Sequence, residues 1–135
     1  NYGQSNQNQT FRGGVMNKQQ LETFAKEMLP HYLKCAQWAD SPEEGVSFEF
    51  SKEAEHLAFI DCLYFVRNSF PWFRRDSLTP EQVGHNLWLS RNGHGTGFWD
   101  RGFLHGDFLH ARAKRMETCD LYLSGDDDVI YLEMN

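Results

Sequence analysis

The sequence predicts an α+β fold dominated by helix: about four helices in a single domain, with a small C-terminal antiparallel β-hairpin or three-stranded sheet. Three observations carry that expectation. Apolar residues recur at helical three-and-four spacing over two long stretches. A T-x-x-Q capping box with proline at the first helical position starts a further helix. The closing stretch "CDLYLSGDDDVIYLEM" alternates apolar and polar residues on either side of a Gly and Asp turn.

In "NKQQLETFAKEMLPHYLKCAQWAD", Leu21, Phe24, Ala25, Met28, Leu29, Tyr32 and Ala36 line one face, with Asn17 as N-cap and Gln20 three residues on. Pro30 falls inside this pattern. It lacks an amide donor and crowds the Lys26 carbonyl, so a kink or break is expected there. A second helix is expected from about Ser51 to Phe70, apolar over more than half its circumference towards its end and therefore deep in the core.

Thr79, Pro80, Glu81 and Gln82 start the third helix. Val83 and Leu87 share a face, and Gly84 lies one turn below Trp88, where a missing side chain lets another element come close. This helix ends near Arg91, with Asn92 and Gly93 as the residues able to take a left-handed conformation. Gly106 and Asp107 can cap a last helix, "FLHARAKRME", whose basic end complements its dipole. A lone hairpin is marginal in water, so the C-terminal one must pack on helices, with Val46 to Phe50 as a candidate third strand.

Residues 1–15 are rich in Asn, Gln and Gly and differ in composition from the rest of the sequence, which marks them as a disordered or expression-derived leader, with Met16 as the natural start and 16–135 as the globular domain. The chain of 135 residues is long enough to bury a core without disulfide or metal staples. A net charge of −6 argues against non-specific attraction to nucleic acid or to an anionic membrane. No apolar run reaches the length of a membrane span. The acidic run Asp126 to Asp128 reads as a solvated turn. Cys35, Cys62 and Cys119 are widely spaced, with no CxxC, and are expected as reduced, mostly buried thiols.

The stretch that asks for a function is "SRNGHGTGFWDRG", Ser90 to Gly102. Gly93, Gly95 and Gly97 alternate with His94 and Thr96 and bring main-chain amides close to whatever binds. A helix precedes these glycines, whereas a Walker or dinucleotide site needs a strand there. Neither a cofactor nor a metal is read from the sequence. His85, His94 and Asp100 are a conceivable metal triad, but sequence spacing does not make them converge. Phe98 and Trp99 are adjacent, so one is expected as a buried anchor and the other as a partly exposed platform. Arg74 and Arg75, with Arg112, Lys114 and Arg115, are the basic clusters and read as solvated faces and a dipole complement rather than a nucleic-acid surface, although Trp72 and Phe73 beside the first give the aromatic and basic mix that stacks on bases.

"HNLWLSRNGHGTGFWDRG", the Gly-Asp before the last helix and "DLYLSGDDDVIYL" resemble a family of small tailed-bacteriophage and prophage proteins with the pattern (F/L)WL(S/T)RNGHGxGFWDRG, a helix, and a DLY to IYL hairpin. The resemblance covers roughly Thr79 to Leu132, and "YLKCAQWAD" more loosely. This sequence departs from the pattern in a longer acidic turn and in "SFPWFRRD" before the capping box. The resemblance implies a phage accessory protein acting in the cytoplasm of the infected host on a host or phage protein, with no membrane and with nucleic acid not the expected partner.

Three readings of the loop stay open. In the first it is a docking surface, with Arg91, Asn92, His94, Trp99, Asp100 and Arg101 as binding residues. In the second the protein is a small hydrolase or lyase acting on a nucleotide or another anionic ligand, with His94 as acid or base, Asp100 orienting it and Arg91 as anion clamp. Ser90 and Thr96 lie near enough in sequence to be considered as nucleophiles. In the third the loop is architectural and locks the third helix against the hairpin.

Overall fold

The computed structural model describes residues 16–125 and 127–135. The expected 1–15 leader, and Asp126 in the acidic turn, lie outside the described residues. The order of elements is α1 (Lys18–Asp40), β1 (Glu49–Phe50), α2 (Lys52–Arg75), α3 (Pro80–Arg91), a 3-10 turn (Phe98–Asp100), α4 (Gly106–Lys114), β2 (Cys119–Leu123) and β3 (Val129–Met134). Among the described residues this is the helix-dominated α+β fold, four α-helices with a three-stranded sheet.

Both predicted capping boxes form. The Asn17 side chain accepts from the Gln20 amide at 2.8 Å and Gln20 answers on the Asn17 amide at 2.8 Å, while Thr79 and Gln82 exchange the same pair of bonds at 3.1 and 2.9 Å. Each box satisfies two amides that a helix start leaves without partners. Pro30 does not end α1, which runs unbroken to Asp40. Proline removes one helical hydrogen bond, whereas Met28, Tyr32, Leu33 and Ala36 on either side of it are buried, and their packing holds the two halves in one helix. The second helix likewise continues past Pro71 to Arg75, because buried Phe73 stacks on Phe24 at 4.8 Å and draws the last turn onto α1.

Gly84 faces α1 so closely that a Cβ there would lie 2.5 Å from the Met28 carbonyl oxygen and 3.0 Å from the Tyr32 amide nitrogen. Backbone therefore meets backbone across the α1/α3 contact. Trp88, one turn on, packs edge-on against Tyr32 at 5.3 Å. These rings, with Phe65, Phe73, Phe98 and Leu109, form the centre of the core. Burying each such side chain contributes on the order of 1.5–3 kcal/mol.

The last helix starts at Gly106, two residues before the expected stretch, and stops at Lys114 rather than Glu117. Gly106 lies against the Phe98 carbonyl with no room for a Cβ, so the turn after the loop and the start of α4 are fixed together. The C-terminal hairpin pairs Leu121 with Leu132 and Tyr122 with Tyr131. Cys119, Ile130 and Leu132 face the core, while Tyr122 and Tyr131 stack at 5.7 Å on the other face. The third strand is shorter than Val46 to Phe50. Glu49 and Phe50 alone join, parallel to β3, so the sheet is mixed with order β1-β3-β2. The Gln37 side chain occupies the Phe48 amide and carbonyl before the strand begins.

Among the described residues no helix is long and apolar enough to cross a membrane. All three cysteines are buried free thiols. Burial pushes Cys35 up to about 12 and Cys119 up to about 11, and holds Cys62 higher still.

Candidate functional site

The third helix closes with a Schellman motif. Gly93 takes the left-handed conformation (φ +69°), the His94 amide donates to the Leu89 carbonyl at 3.2 Å and the Gly93 amide to that of Ser90 at 3.4 Å. Asn92 is the C-cap and stays out of the left-handed region. Its amide nitrogen donates to the Trp88 carbonyl and its oxygen accepts from the Cys119 amide at 2.8 Å, so both ends of this side chain are used to tie α3 to β2.

From here the loop is latched to the body at four points. His94 Nε2 meets Asp40 Oδ2 at 2.7 Å, and the same oxygen accepts from the Trp88 indole at 2.7 Å. Ser90, fully buried, accepts from the Phe98 amide at 3.0 Å and shares a 2.8 Å bond with His110 Nδ1. Gly97 passes directly over that hydroxyl with φ +143°, where a Cβ would collide with it. The third latch is Arg101 Nε, which donates to Asn86 Oδ1 at 3.0 Å. At the exit, the His105 amide and Nδ1 both lie 2.7 Å from the buried Asp76 carboxylate at the end of α2.

This geometry separates the trio expected to do acid-base chemistry. Asp100 does not reach His94. It accepts from the Thr96 hydroxyl at 2.7 Å and from the Gly97 amide at 3.0 Å, and these two bonds hold its carboxyl below the usual carboxylate value. A carboxylate with amides next to it in sequence caps its own turn first. Arg91 is not an anion clamp on the surface, because its side chain is 3% exposed and ion-paired to Asp61 at 2.7 Å, with further bonds to the Tyr32 hydroxyl and the Glu117 carbonyl. Burial works against its charge, yet Tyr32 and Asp61 outweigh that effect and hold the guanidinium above its ordinary value. Nor do His85, His94 and Asp100 meet. Among the described residues no group of three His, Cys, Asp or Glu side chains is placed to hold a metal ion.

What the latches leave at the surface is specific. Phe98 is the buried member of its pair and stacks on Phe65 at 5.5 Å, whereas Trp99 is 47% exposed and rests edge-on against His110 at 6.3 Å. Burial, with Lys114 nearby, holds His110 below its ordinary value. Arg101 reaches in the other direction, into an open groove of about 480 Å³ lined by Glu81, Gln82, His85, Asn86, Arg101 and Phe103. Above His85, Trp38 of α1 lies at 6.0 Å between ring centres and is 74% exposed. Burial and the Arg101 charge hold the His85 imidazole below its ordinary value. The aromatic members of the first aromatic and basic cluster are covered, while Arg75 stays exposed. Phe73 is buried, and Trp72 is covered by Phe108 at 4.1 Å and by the Arg112 guanidinium at 5.3 Å.

Asp40, Asn86, Trp38, Phe103 and His110 were not legible as parts of the site. Asp40 is 54 positions from His94, and no local pattern joins them. Asn86 left one trace, a polar residue beside Val83 and Leu87 on a helix otherwise turned to the core. No protein-family model matches the sequence, and no match is found among curated proteins or solved structures.

Proposed function

We propose that the protein acts by binding, as a phage accessory protein whose contact surface is the loop after α3, with Trp99 and Arg101 as its anchors and a host or phage protein as its partner. The observation that carries this reading is the contrast within the loop. His94, Thr96 and Asp100 are engaged by the body or by the loop itself, while Trp99 is left 47% exposed on a backbone held from four sides. A rigid aromatic beside an arginine loses little conformational freedom on binding and has the composition of an interface hot spot. The phage resemblance of the RNGHG to FWDRG stretch supplies the setting, the cytoplasm of an infected bacterium. Of the six residues expected to bind, Arg91 and Asn92 pass to the scaffold, and His94 and Asp100 shape the loop from its edges.

The test is partner capture by the immobilised full-length protein from infected and uninfected host lysate, followed by reconstitution with the purified partner. Trp99→Ala, shown by circular dichroism to be folded, is expected to weaken that complex at least about tenfold, the 1.4 kcal/mol scale of a modest hot spot. Unchanged affinity of the folded variant would remove the loop from the interface.

A further inference from the structure

The groove beside the loop has its own chemistry. Asn86 is buried, and both ends of its amide are committed: Nδ2 donates to the Gln82 carbonyl at 2.8 Å and Oδ1 accepts from Arg101 Nε at 3.0 Å. The arginine is thus gripped by its inner nitrogen, and among the described residues no hydrogen bond occupies its two terminal nitrogens, on a side chain that borders the groove. An arginine held in this way presents a planar fork whose orientation is fixed before any ligand arrives, and the matching ligand group is a carboxylate or phosphate taken by two parallel hydrogen bonds.

Charge narrows the choice further. Arg101 is the cation of the groove lining, Glu81 faces the same space, and the Asp100 carboxylate lies 3.8 Å from Arg101 Nε. Asp100 and Glu81 already offset the one guanidinium, so no described residue of the groove repays the larger desolvation cost of a dianionic phosphate, whereas a single carboxylate, one charge held by two directed hydrogen bonds, loses less hydration. His85 adds no charge near neutral pH, since burial and Arg101 disfavour its protonated form. Its ring lies beside the exposed Trp38 indole, tilted 31° to it with 6.0 Å between centres, and with Phe103 on the groove wall it gives the groove an aromatic shelf at its edge. A side chain with a large apolar or aromatic surface next to the carboxylate fits that shelf.

We propose that this groove is a binding site for a peptide carboxylate, with Arg101 as the carboxylate fork, Asn86 as its positioning residue and the Trp38/His85 shelf taking an adjacent aromatic side chain. The proposal rests on the binding function proposed above and names the ligand chemistry of its arginine. Two sources present the same group, an internal Asp or Glu side chain and the free C-terminus of a polypeptide. A volume of about 480 Å³ holds a few residues of either.

The experiment uses the full-length protein, 15N-labelled, and four probes: acetyl-Gly-Phe-Glu-Gly-amide, acetyl-Gly-Gly-Phe with a free C-terminus, the amide of that second peptide, and inorganic phosphate. The Arg101 Nε–Hε, His85 ring and Trp38 indole resonances are followed on titration. At least one carboxylate peptide is expected to shift all three in a saturable way, and which one does so identifies the source. The amide peptide and phosphate are expected to leave them in place. Arg101→Lys, which keeps the charge and loses the fork, is expected to weaken binding about tenfold or more. Trp38→Ala, at a position 74% exposed and so with little consequence for folding, is expected to weaken the aromatic peptide severalfold. Asn86→Ala is expected to weaken carboxylate binding and to raise the exchange rate of the Arg101 Nε proton, which a purely structural asparagine would not do selectively. Absence of shifts with both carboxylate peptides, equal binding of the amide, or tighter binding of phosphate would each overturn the proposal. Partner capture lost in Trp99→Ala but kept in Arg101→Lys would overturn the carboxylate site while leaving the docking loop standing, and the reverse pattern would do the opposite.

Discussion

His94 Nε2 and Trp88 Nε1 converge on one oxygen, Asp40 Oδ2, each at 2.7 Å. The end of α1 thereby fixes both the core tryptophan of α3 and the tip of the glycine loop that follows it. The indole lies in the core with Trp88 fully buried, while the imidazole lies towards solvent, so one carboxylate spans the boundary between them.

Asp40→Ala leaves the Trp88 indole N–H buried without an acceptor, which costs about 1–3 kcal/mol. The expected result is a lower urea midpoint together with a shifted Trp88 emission. Asp40→Asn retains a carbonyl oxygen for the indole and should recover most of the loss. Equal losses in both variants would show that charge, and not the acceptor, is what the site needs.

Gly97→Ala and Gly95→Ala separate two meanings of a loop glycine. At Gly97 the backbone has φ +143° and a Cβ would strike the Ser90 hydroxyl, so beyond the ~1–3 kcal/mol of backbone strain the Ser90 latch must break. At Gly95 φ is +74° and nothing lies within 4 Å, so the cost should stop at about 1–2 kcal/mol. The unfolding free energies of the two variants check the order, and with Gly97→Ala the Phe98 amide should lose its protection from hydrogen exchange.

Arg91→Ala strips Asp61 of its partner in a mostly buried setting and removes the bond to the Glu117 carbonyl, which places the expected loss at about 3–5 kcal/mol. Partner binding per folded molecule should be unchanged. A variant that stays as stable as the parent and loses binding would return Arg91 to the recognition surface.

The two histidines with depressed values give a signed pH dependence. Both His85 and His110 bind protons less readily folded than unfolded, so the unfolded state takes up more protons as pH falls through the ordinary histidine value of about 6.5. Their contribution is present above that value and declines on acidification. Urea midpoints at pH 7.5, 6.5 and 5.5 should therefore fall more steeply for the parent protein than for a His85→Gln, His110→Gln double variant. A steeper fall in the double variant would reverse the assignment.

The buried thiols predict slow reaction. Cys35 and Cys119 are held near 12 and 11 by burial, leaving little thiolate at neutral pH, and all three cysteines are shielded from reagent. Ellman's reagent should label the native protein only at the rate of unfolding and label three thiols at once in denaturant. Rapid native labelling of one thiol would identify a site open to solvent.

Elements with local causes could be read directly from the order of residues. Capping bonds span three residues, helical faces repeat every three or four, and a hairpin turn is written in its own glycine and aspartates, so Asn17, Thr79, Gly93 and the 119–134 hairpin were all legible in place. Gly84 was legible for the same reason, since a glycine one turn below a buried tryptophan has a simple meaning. Pro30 was expected to kink or break the first helix, yet α1 continues through it because the buried packing of Met28 and Tyr32 outweighs the lost hydrogen bond and the crowding, and the second helix, expected to end near Phe70, runs on to Arg75 because Phe73 packs on distant Phe24. The site itself took shape only once the helices were packed together. His94 met Asp40 instead of Asp100, Arg91 turned inward to Asp61, and Arg101 was caught by Asn86, because hydrogen bonds between side chains depend on where helices cross, and that is set by the shape of the whole core.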